Sequence, residues 1–556
     1  MPPHLISRRC LFAAVSAAAA TAKPASSQPA KSPQIEPFDR PRVGEPYELA
    51  GKRLLFTDWH HVRPGGFGWY DDRGTNWYVK GSAGPFDLQF KGHDTPMVMQ
   101  LVAMPAQRHG RLFEADAPWE KGGGFSPGTL IKEDGRFRLW GTSLSPNEQA
   151  GAASDSLFSY LESGDGLAWT RPKLGLFEWR GGRDNNILGM KGGTVFMDPS
   201  VPASERYKWV SVDSISKAAF LAFQNRRSAA TDPQSYSNIL DCAACINGAV
   251  SADGLRWDPL PEPLVVETSD TQVVAYYDEW LRKYVMYTRN WMIGRRSRGV
   301  PDEQAIDWTR SARRSIGRSE SGDFRNFPVS EVVFEPGPSM LPSDTLYANC
   351  KTTVPGAPDH HLMFPTIWHQ ADDTTSVGLA SSHDGRLWHF VPGSPVFGTA
   401  PFEEWDGGCL FAHPNLVELA DGRWVLPYTA SNLPHKYARG QWKLAAGYAV
   451  WPKGRMVALE AAERGEFATL GLIPPGRKLH LNVMTARAGK VLVEVTNLDR
   501  KALPGRTFDD ATPVVGDHVR TAVTWKGQED LGHQNGAAVI LRFRLERARI
   551  FSLEFA

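Results

Sequence analysis

The chain has 556 residues, with 62 Lys+Arg against 61 Asp+Glu, 52 Gly and 19 Trp. The balanced charge excludes a global basic field of the kind that gathers nucleic acid or an anionic membrane surface. Past the N-terminus no stretch approaches the ~18 continuous apolar residues of a spanning helix, and length alone allows roughly two to four domains.

The chain opens with Ser7-Arg8-Arg9-Cys10-Leu11-Phe12, which sets two arginines before a short Ala-rich run, and Ala20-Thr21-Ala22 offers a small-residue cleavage site. Residues 1–22 are therefore expected to be a twin-arginine-type signal peptide, sending the mature chain to the periplasm or outside the cell. Cys10 precedes the apolar run, so no membrane anchor is expected. Residues 23–45, rich in Pro, Ser and Lys, read as a flexible linker. Beyond them, Cys242 and Cys245 form one C-x-x-C with no second pair at zinc-ribbon spacing. With Cys350 and Cys409 they read as buried small residues, with room for one disulfide after export.

From residue 46 onward strand signals dominate: short period-two apolar runs separated by Gly, Asp, Pro and Asn. Residues 46–112 hold the run Leu54-Leu-Phe-Thr-Asp58-Trp59-His60-His61 and a Gly- and aromatic-rich insertion through Tyr78, and are expected to supply a strand that closes a ring. A turn cassette S-x-D-G-x-x-W then recurs at Ser163–Trp169 and Ser251–Trp257, again in SSHDGRLW ending at Trp388, and more weakly in SESGDFRNF from Ser319 to Phe327. Repetition at roughly 60 to 90 residues implies one supersecondary unit used several times. A turn followed by a strand recurs as well, starting at Asp134, Glu205, Glu279, Asp359 and Asp421, each copy preceded by an apolar run. The pattern predicts an all-β fold, a five-bladed β-propeller over 46–455 with an N-terminal closing segment. Residues 456–556 lack the cassette and alternate cleanly, as in a separate C-terminal antiparallel β-sandwich. The cassette Asp residues are expected to serve their turns, with Gly supplying positive φ and Trp packing between blades.

In such a ring the starts of the innermost strands converge at one mouth. The residues there are Trp119-Glu120, Asn185-Asn186, Ser269-Asp270-Thr271-Gln272, Ser343-Asp344 and Glu404-Trp405-Asp406. Glycoside hydrolysis needs two carboxyl groups flanking an oxocarbenium-like centre, with aromatic surfaces holding the sugar. The catalytic set is therefore Asp270, Asp406, Glu120 and Asp344, with Asp270 as candidate acid and Asp406 or Glu120 as its partner. Each is equally readable as a turn acceptor. Substrate contacts are expected from Trp119, Trp405, Asn185 and Asn186, from Arg289 as an oxygen-binding fork, from His435, and from Asp58 and Asp198, whose positions on the ring the pattern leaves open. His60/His61 and His360/His361 are adjacent pairs that point to opposite faces of a strand, so no metal site is expected. No cofactor is expected, although acids converging on the axis would suit a structural calcium ion.

The runs LLFTDWHHV, Pro118-Trp119-Glu120, SGDGLAWTRPKLGLFEWRGGRDNNI, VFMDPSVPASERYK, SDTQVVAYYD and the closing IFSLEF resemble exported bacterial proteins grouped with glycosyl hydrolase families 32 and 43. The resemblance runs from Leu54 to the end of the chain. It implies a five-bladed propeller followed by a sandwich, and an oligo- or polysaccharide substrate such as a fructan- or arabinan-like furanoside. Those families use an early-blade Asp, a second-blade Asp often in Arg-Asp-Pro, and a third-blade Glu. Here Met197-Asp198-Pro199 keeps the Asp-Pro half, and Asp270 stands where the acid Glu would. The alternatives are a non-catalytic carbohydrate-binding propeller and a sialidase-like glycosidase. The latter requires an arginine cluster in the funnel and usually six blades, neither of which is legible in the sequence.

Overall fold

Period-two patterning bounded by Gly, Asp and Pro becomes predominantly antiparallel β-structure in the described residues. The computed structural model describes residues 45–63, 69–70, 76–77, 98–146, 155–189, 191–237, 240–292, 312–437 and 441–556. The expected signal peptide, nearly all of the linker and most of the insertion through Tyr78 lie outside them. Among the described residues the one α-helix is Lys217–Arg226, started by Ser216, whose side chain accepts from Ala219 N.

The first sheet unit comprises Gly124–Glu133, Arg136–Ser145 and Asp155–Ser163. The second is built on Thr194–Met197, Tyr207–Ser216 and Cys242–Ser251. Val274–Asp278, Lys283–Met292, Arg313–Ser321 and Glu331–Phe334 make the third. The fourth is interrupted along its strands: Asp344–Ala348, Thr366–His369, Thr374–Val377 and Phe397–Gly398 form one half. Lys351–Thr352, His361–Met363, Ala380–Ser382 and His389–Phe390 form the other. The fifth contains Cys409–Ala412, Trp424–Ser431 and Leu444–Trp451, and its outer strand is Gln107–Arg111, brought in from the N-terminal side of the first unit. A parallel pair, Leu444 with Gly124, continues the fifth unit into the first.

Residues in or flanking the first strands of these units are hydrogen-bonded in a closed cycle. Val195 N donates to Thr129 Oγ1, Thr194 Oγ1 to Val273 O, Cys350 N to Gln272 Oε1, Leu416 N to Thr352 Oγ1, and Leu130 N to Pro414 O. Gln272 is central to this cycle, since its Nε2 also donates to Ala412 O at 2.9 Å and meets His413 Nδ1 at 3.2 Å. Burial pushes the His413 imidazole down to about 3. The neutral ring therefore accepts from Gln272 at Nδ1 and donates from Nε2 to Thr429 Oγ1, which meets Ser126 Oγ at 2.6 Å.

The repeated cassettes act as turns. Ser163 Oγ accepts from Gly166 N, and Asp165 Oδ1 accepts from Leu167 N and Ala168 N, both at 2.8 Å; Ser251/Asp253 and Ser382/Asp384 use the same side-chain oxygens on following backbone amides. The glycine carbonyl of each turn then receives an aromatic donor from a neighbouring unit: Tyr448 Oη to Gly166 O, Trp140 Nε1 to Gly254 O, and Tyr287 Oη to Gly385 O. Gly254 sits at φ +74°, and a Cβ there would lie 2.9 Å from Trp140 Cζ2. Gly254→Ala should therefore cost about 1–2 kcal/mol in denaturant unfolding, through left-handed backbone strain and displacement of the ring.

The amide donors of Ala168 and Leu167 hold the Asp165 carboxyl below the ordinary carboxylate range, and Asp253 and Asp384 are lowered too, their turn amides outweighing burial. A depressed carboxylate contributes stability that is fully present above its unfolded value and is lost as pH falls through the folded one. Unfolding midpoints should thus fall steadily below pH ~4, and Asp165→Asn should flatten part of that slope.

The C-terminal region is one curled six-stranded sheet with long bulged strands, ordered Asp517–Ala522, Leu479–Thr496, Ile540–Phe555, Val457–Ala468 and Gln100–Ala103, with Arg53–Leu55 on Ile540–Phe555. Residues 456–556 thus do not complete it alone, because two N-terminal strands supply its partners. Cys242, Cys245, Cys350 and Cys409 are all free thiols, so the disulfide allowed by the sequence is not formed.

Candidate functional site

Strand register decides which side chains share the face where the first strands begin. In the third unit Val274 pairs with Tyr287, so Arg289 and Trp291, farther along Lys283–Met292, project past the start of Val274–Asp278. Trp291 pairs in turn with Arg314 of the next strand. In the fourth unit Thr345 pairs with Trp368, near the start of its first strand.

These residues meet. The Arg314 guanidinium lies 4.4 Å from the Tyr347 ring centroid and 5.4 Å from those of Trp291 and Trp368, while Arg289 stacks on Trp291 at 4.7 Å. His435 packs against Tyr347, Trp368 and Phe411 with ring centroids 4.6 to 5.3 Å apart. Asp270 is ion-paired with Arg289 Nη1; its side chain is 61% exposed and that of Arg289 only 4%. Burial lowers the Arg289 guanidinium from its ordinary value; Asp270 opposes this, and the like charge of Arg314 adds to it. Burial raises the Tyr347 phenol. The result is an aromatic wall carrying two guanidiniums, with one exposed carboxylate at its edge. Of this group the sequence singled out Asp270, Arg289 and His435; it did not single out Arg314, Tyr347, Trp368 or Phe411. The absence of an arginine cluster inferred from the sequence is corrected here, because Arg289 and Arg314 lie 25 positions apart and become neighbours only through strand pairing.

The other expected carboxylates are taken up elsewhere. Glu120 is 1% exposed, and Arg171 donates to both its oxygens, from Nε at 2.9 Å and from Nη2 at 2.8 Å. Burial raises its carboxyl, with Arg171 opposing. Asp406 is also 1% exposed; it is paired with Arg108 and accepts from Tyr428 Oη at 3.2 Å. Asp344 accepts from Leu341 N and meets His369 Nδ1 at 2.9 Å. Because adjacent strand residues point to opposite faces, His369 and Asp344 lie across the sheet from Trp368 and its aromatic neighbours. Glu120 and Asp406 are thus each buried against an arginine of their own, and neither is in contact with Asp270 among the ion pairs of the described residues.

The binding set divides in the same way. Asn185 and Asn186 sit on the outer edge of the first unit, ahead of the strand Thr194–Met197 that they were expected to enter. Asn185 Nδ2 donates to Phe177 O at 2.9 Å and Asn186 Nδ2 to Tyr160 O at 2.8 Å, so their amides serve backbone. Asp198 is buried at the far end of its strand, accepting from Ser200 and from Tyr284 Oη at 2.8 Å, with Lys208 Nζ 3.7 Å away. Trp405 stacks on Tyr428 with the Arg111 guanidinium 5.6 Å from its ring centroid, and Trp119 packs edge-on to Trp179. Asp58 Oδ1 accepts from His60 N in the segment that follows Arg53–Leu55. His60 stacks on His383 and His61 on His360, and no group of three or more His, Cys, Asp or Glu fit to hold a metal occurs among the described residues.

No family model matches the chain, and neither does any curated protein. Solved structures similar to it include a protein titled glycoside hydrolase, with TM-score 0.38 and 11% identity over 63% of this chain and 94% of that one. A glycosyl hydrolase from Bacteroides ovatus has TM-score 0.38 and 11% identity, over 64% and 96% of the two chains. A thermostable family-43 glycoside hydrolase has TM-score 0.35 and 13% identity, over 60% and 89%. These three solved structures are each titled as glycoside hydrolases.

Proposed function

We propose that the chain is an exported glycoside hydrolase acting at the face shared by the third, fourth and fifth units. The observation that carries this reading is the exposed Asp270 carboxylate, oriented by Arg289 at the rim of a wall of Trp291, Tyr347, Trp368 and Phe411. Aromatic faces hold sugar rings, and a carboxylate beside them supplies one of the two carboxyl groups that glycosidic cleavage uses. Water is added across the C–O bond, one product keeping the hydroxyl and the other the proton.

The closed cycle of first strands supports reading the five units as propeller blades, with Gln107–Arg111 closing the ring and the curled C-terminal sheet closing into a sandwich. The twin-arginine-type start supports a periplasmic or secreted location, and the sequence resemblance supports a furanoside among the substrates. A second reading, non-catalytic carbohydrate binding, is favoured by the engagement of Glu120, Asp344 and Asp406 with local partners. A screen of the mature chain against furanoside and pyranoside oligosaccharides separates the two. Hydrolysis predicts new reducing ends that accumulate with time. Saturable binding with no product over long incubation would leave the second reading.

A further inference from the structure

The charges at this face are unequal. Arg289 is 5% exposed, and Asp270, its one anionic partner among the described residues, is met through Nη1 alone. Arg289 Nε and Arg314 Nη1 are buried atoms with no hydrogen-bond partner among the described residues. Among the described residues Asp270 is the sole carboxylate paired with either guanidinium. Buried donors without acceptors are costly, and two guanidiniums against one carboxylate leave a net positive site between aromatic rings. Arginine forks match planar oxyanions through paired N–H donors, and rings on either side hold the flat apolar face of a sugar.

We propose that Arg289 and Arg314 receive a carboxylate borne by the sugar, so that the substrates of this face are acidic, uronate-containing oligosaccharides. This deepens the carbohydrate reading above and rests on it. Arg314, stacked against Tyr347, Trp291 and Trp368, is the residue whose free donor would meet the carboxylate. Arg289 would share it with Asp270.

The test is calorimetric titration of the full chain with a panel of uronic-acid oligomers, and with the same oligomers after reduction of their carboxyl groups to alcohols. The acidic form should bind roughly 10- to 100-fold more tightly, the range expected for charge-assisted hydrogen bonds, and the preference should shrink as salt is raised. Arg314→Gln should abolish the preference and Arg314→Lys should reduce it. The wild-type comparison needs no variant, so a misfolded mutant cannot hide the answer. Equal affinity for acidic and reduced oligomers, no binding of any acidic oligomer, or sulfate alone binding as tightly as the oligomers would each overturn the proposal. The two readings fail separately. Preferential binding of acidic oligomers with no product would remove hydrolysis and keep the anion site, whereas cleavage of neutral oligomers with no acidic preference would do the reverse.

Discussion

Asp270→Asn is expected to lower the rate of product release at saturating substrate by about 10²-fold or more, the usual contribution of a positioned acid/base or nucleophilic group. The substitution is nearly isosteric and its site is open: the Asp270 side chain is 61% exposed, so thermal unfolding should change little. The amide still accepts from Arg289 through its oxygen but supplies neither a negative charge nor a basic oxygen. A role confined to orienting Arg289 would raise KM and spare kcat, whereas the catalytic role lowers kcat itself. Partial recovery of Asp270→Ala by added azide or formate would mark a missing nucleophile or base. Undiminished turnover by Asp270→Asn would remove Asp270 from the chemistry.

Arg108→Ala should give the largest loss of stability, about 3 kcal/mol in denaturant unfolding, as expected when one member of a buried ion pair is removed. Asp406 is 1% exposed and Arg108 carries the paired charge from the strand Gln107–Arg111, while Arg108 Nη2 also donates to Gly398 O at 2.6 Å. Without the guanidinium, the Asp406 carboxylate keeps only the Tyr428 hydroxyl among its observed partners; its Oδ1 has none. Arg108 is partly exposed, which places the cost at the lower end of the range. Because this pair fastens the N-terminal strand to the fifth unit, limited proteolysis should cut first near residue 107. Adding Asp406→Asn to Arg108→Ala should recover part of the loss, since a neutral amide leaves no buried charge. Equal stability of Arg108→Ala and wild type would show the pair to be dispensable for that closure.

Periodicity carried much of the fold. The apolar runs ahead of the repeated turns, such as those from Phe125 to Ile131, Thr194 to Met197 and Gln272 to Tyr277, fall largely on the strands Gly124–Glu133, Thr194–Met197 and Val274–Asp278, because alternation and turn residues are local properties of the chain. The cassette aspartates were legible for the same reason: the amides that Asp165 accepts belong to the next few residues. The role of Asn185 and Asn186 was not legible, because Asn186 Nδ2 donates to Tyr160 O and so depends on an edge pairing 26 residues away. The C-terminal sheet was misjudged as self-contained, since its strand Val457–Ala468 is completed by Gln100–Ala103 from far earlier in the chain.

The candidate site divides along the same line. By itself the sequence determined an all-β chain of repeated turn-and-strand units, because those features follow from side-chain alternation, from glycine at positive φ and from short-range capping. It also marked Asp270 as a polar residue ahead of a strand start, and Arg289 and His435 as polar residues toward or beyond the ends of second strands. Only the tertiary structure decided that Glu120 and Asp406 are neutralised by Arg171 and Arg108, that Asp344 turns to His369, and that Arg314 joins Arg289 between Trp291, Tyr347 and Trp368. Each of those outcomes depends on which face of a strand a side chain occupies and which cation a neighbouring unit brings to it. Charges interact through space, over separations of a few ångströms that sequence distance does not encode.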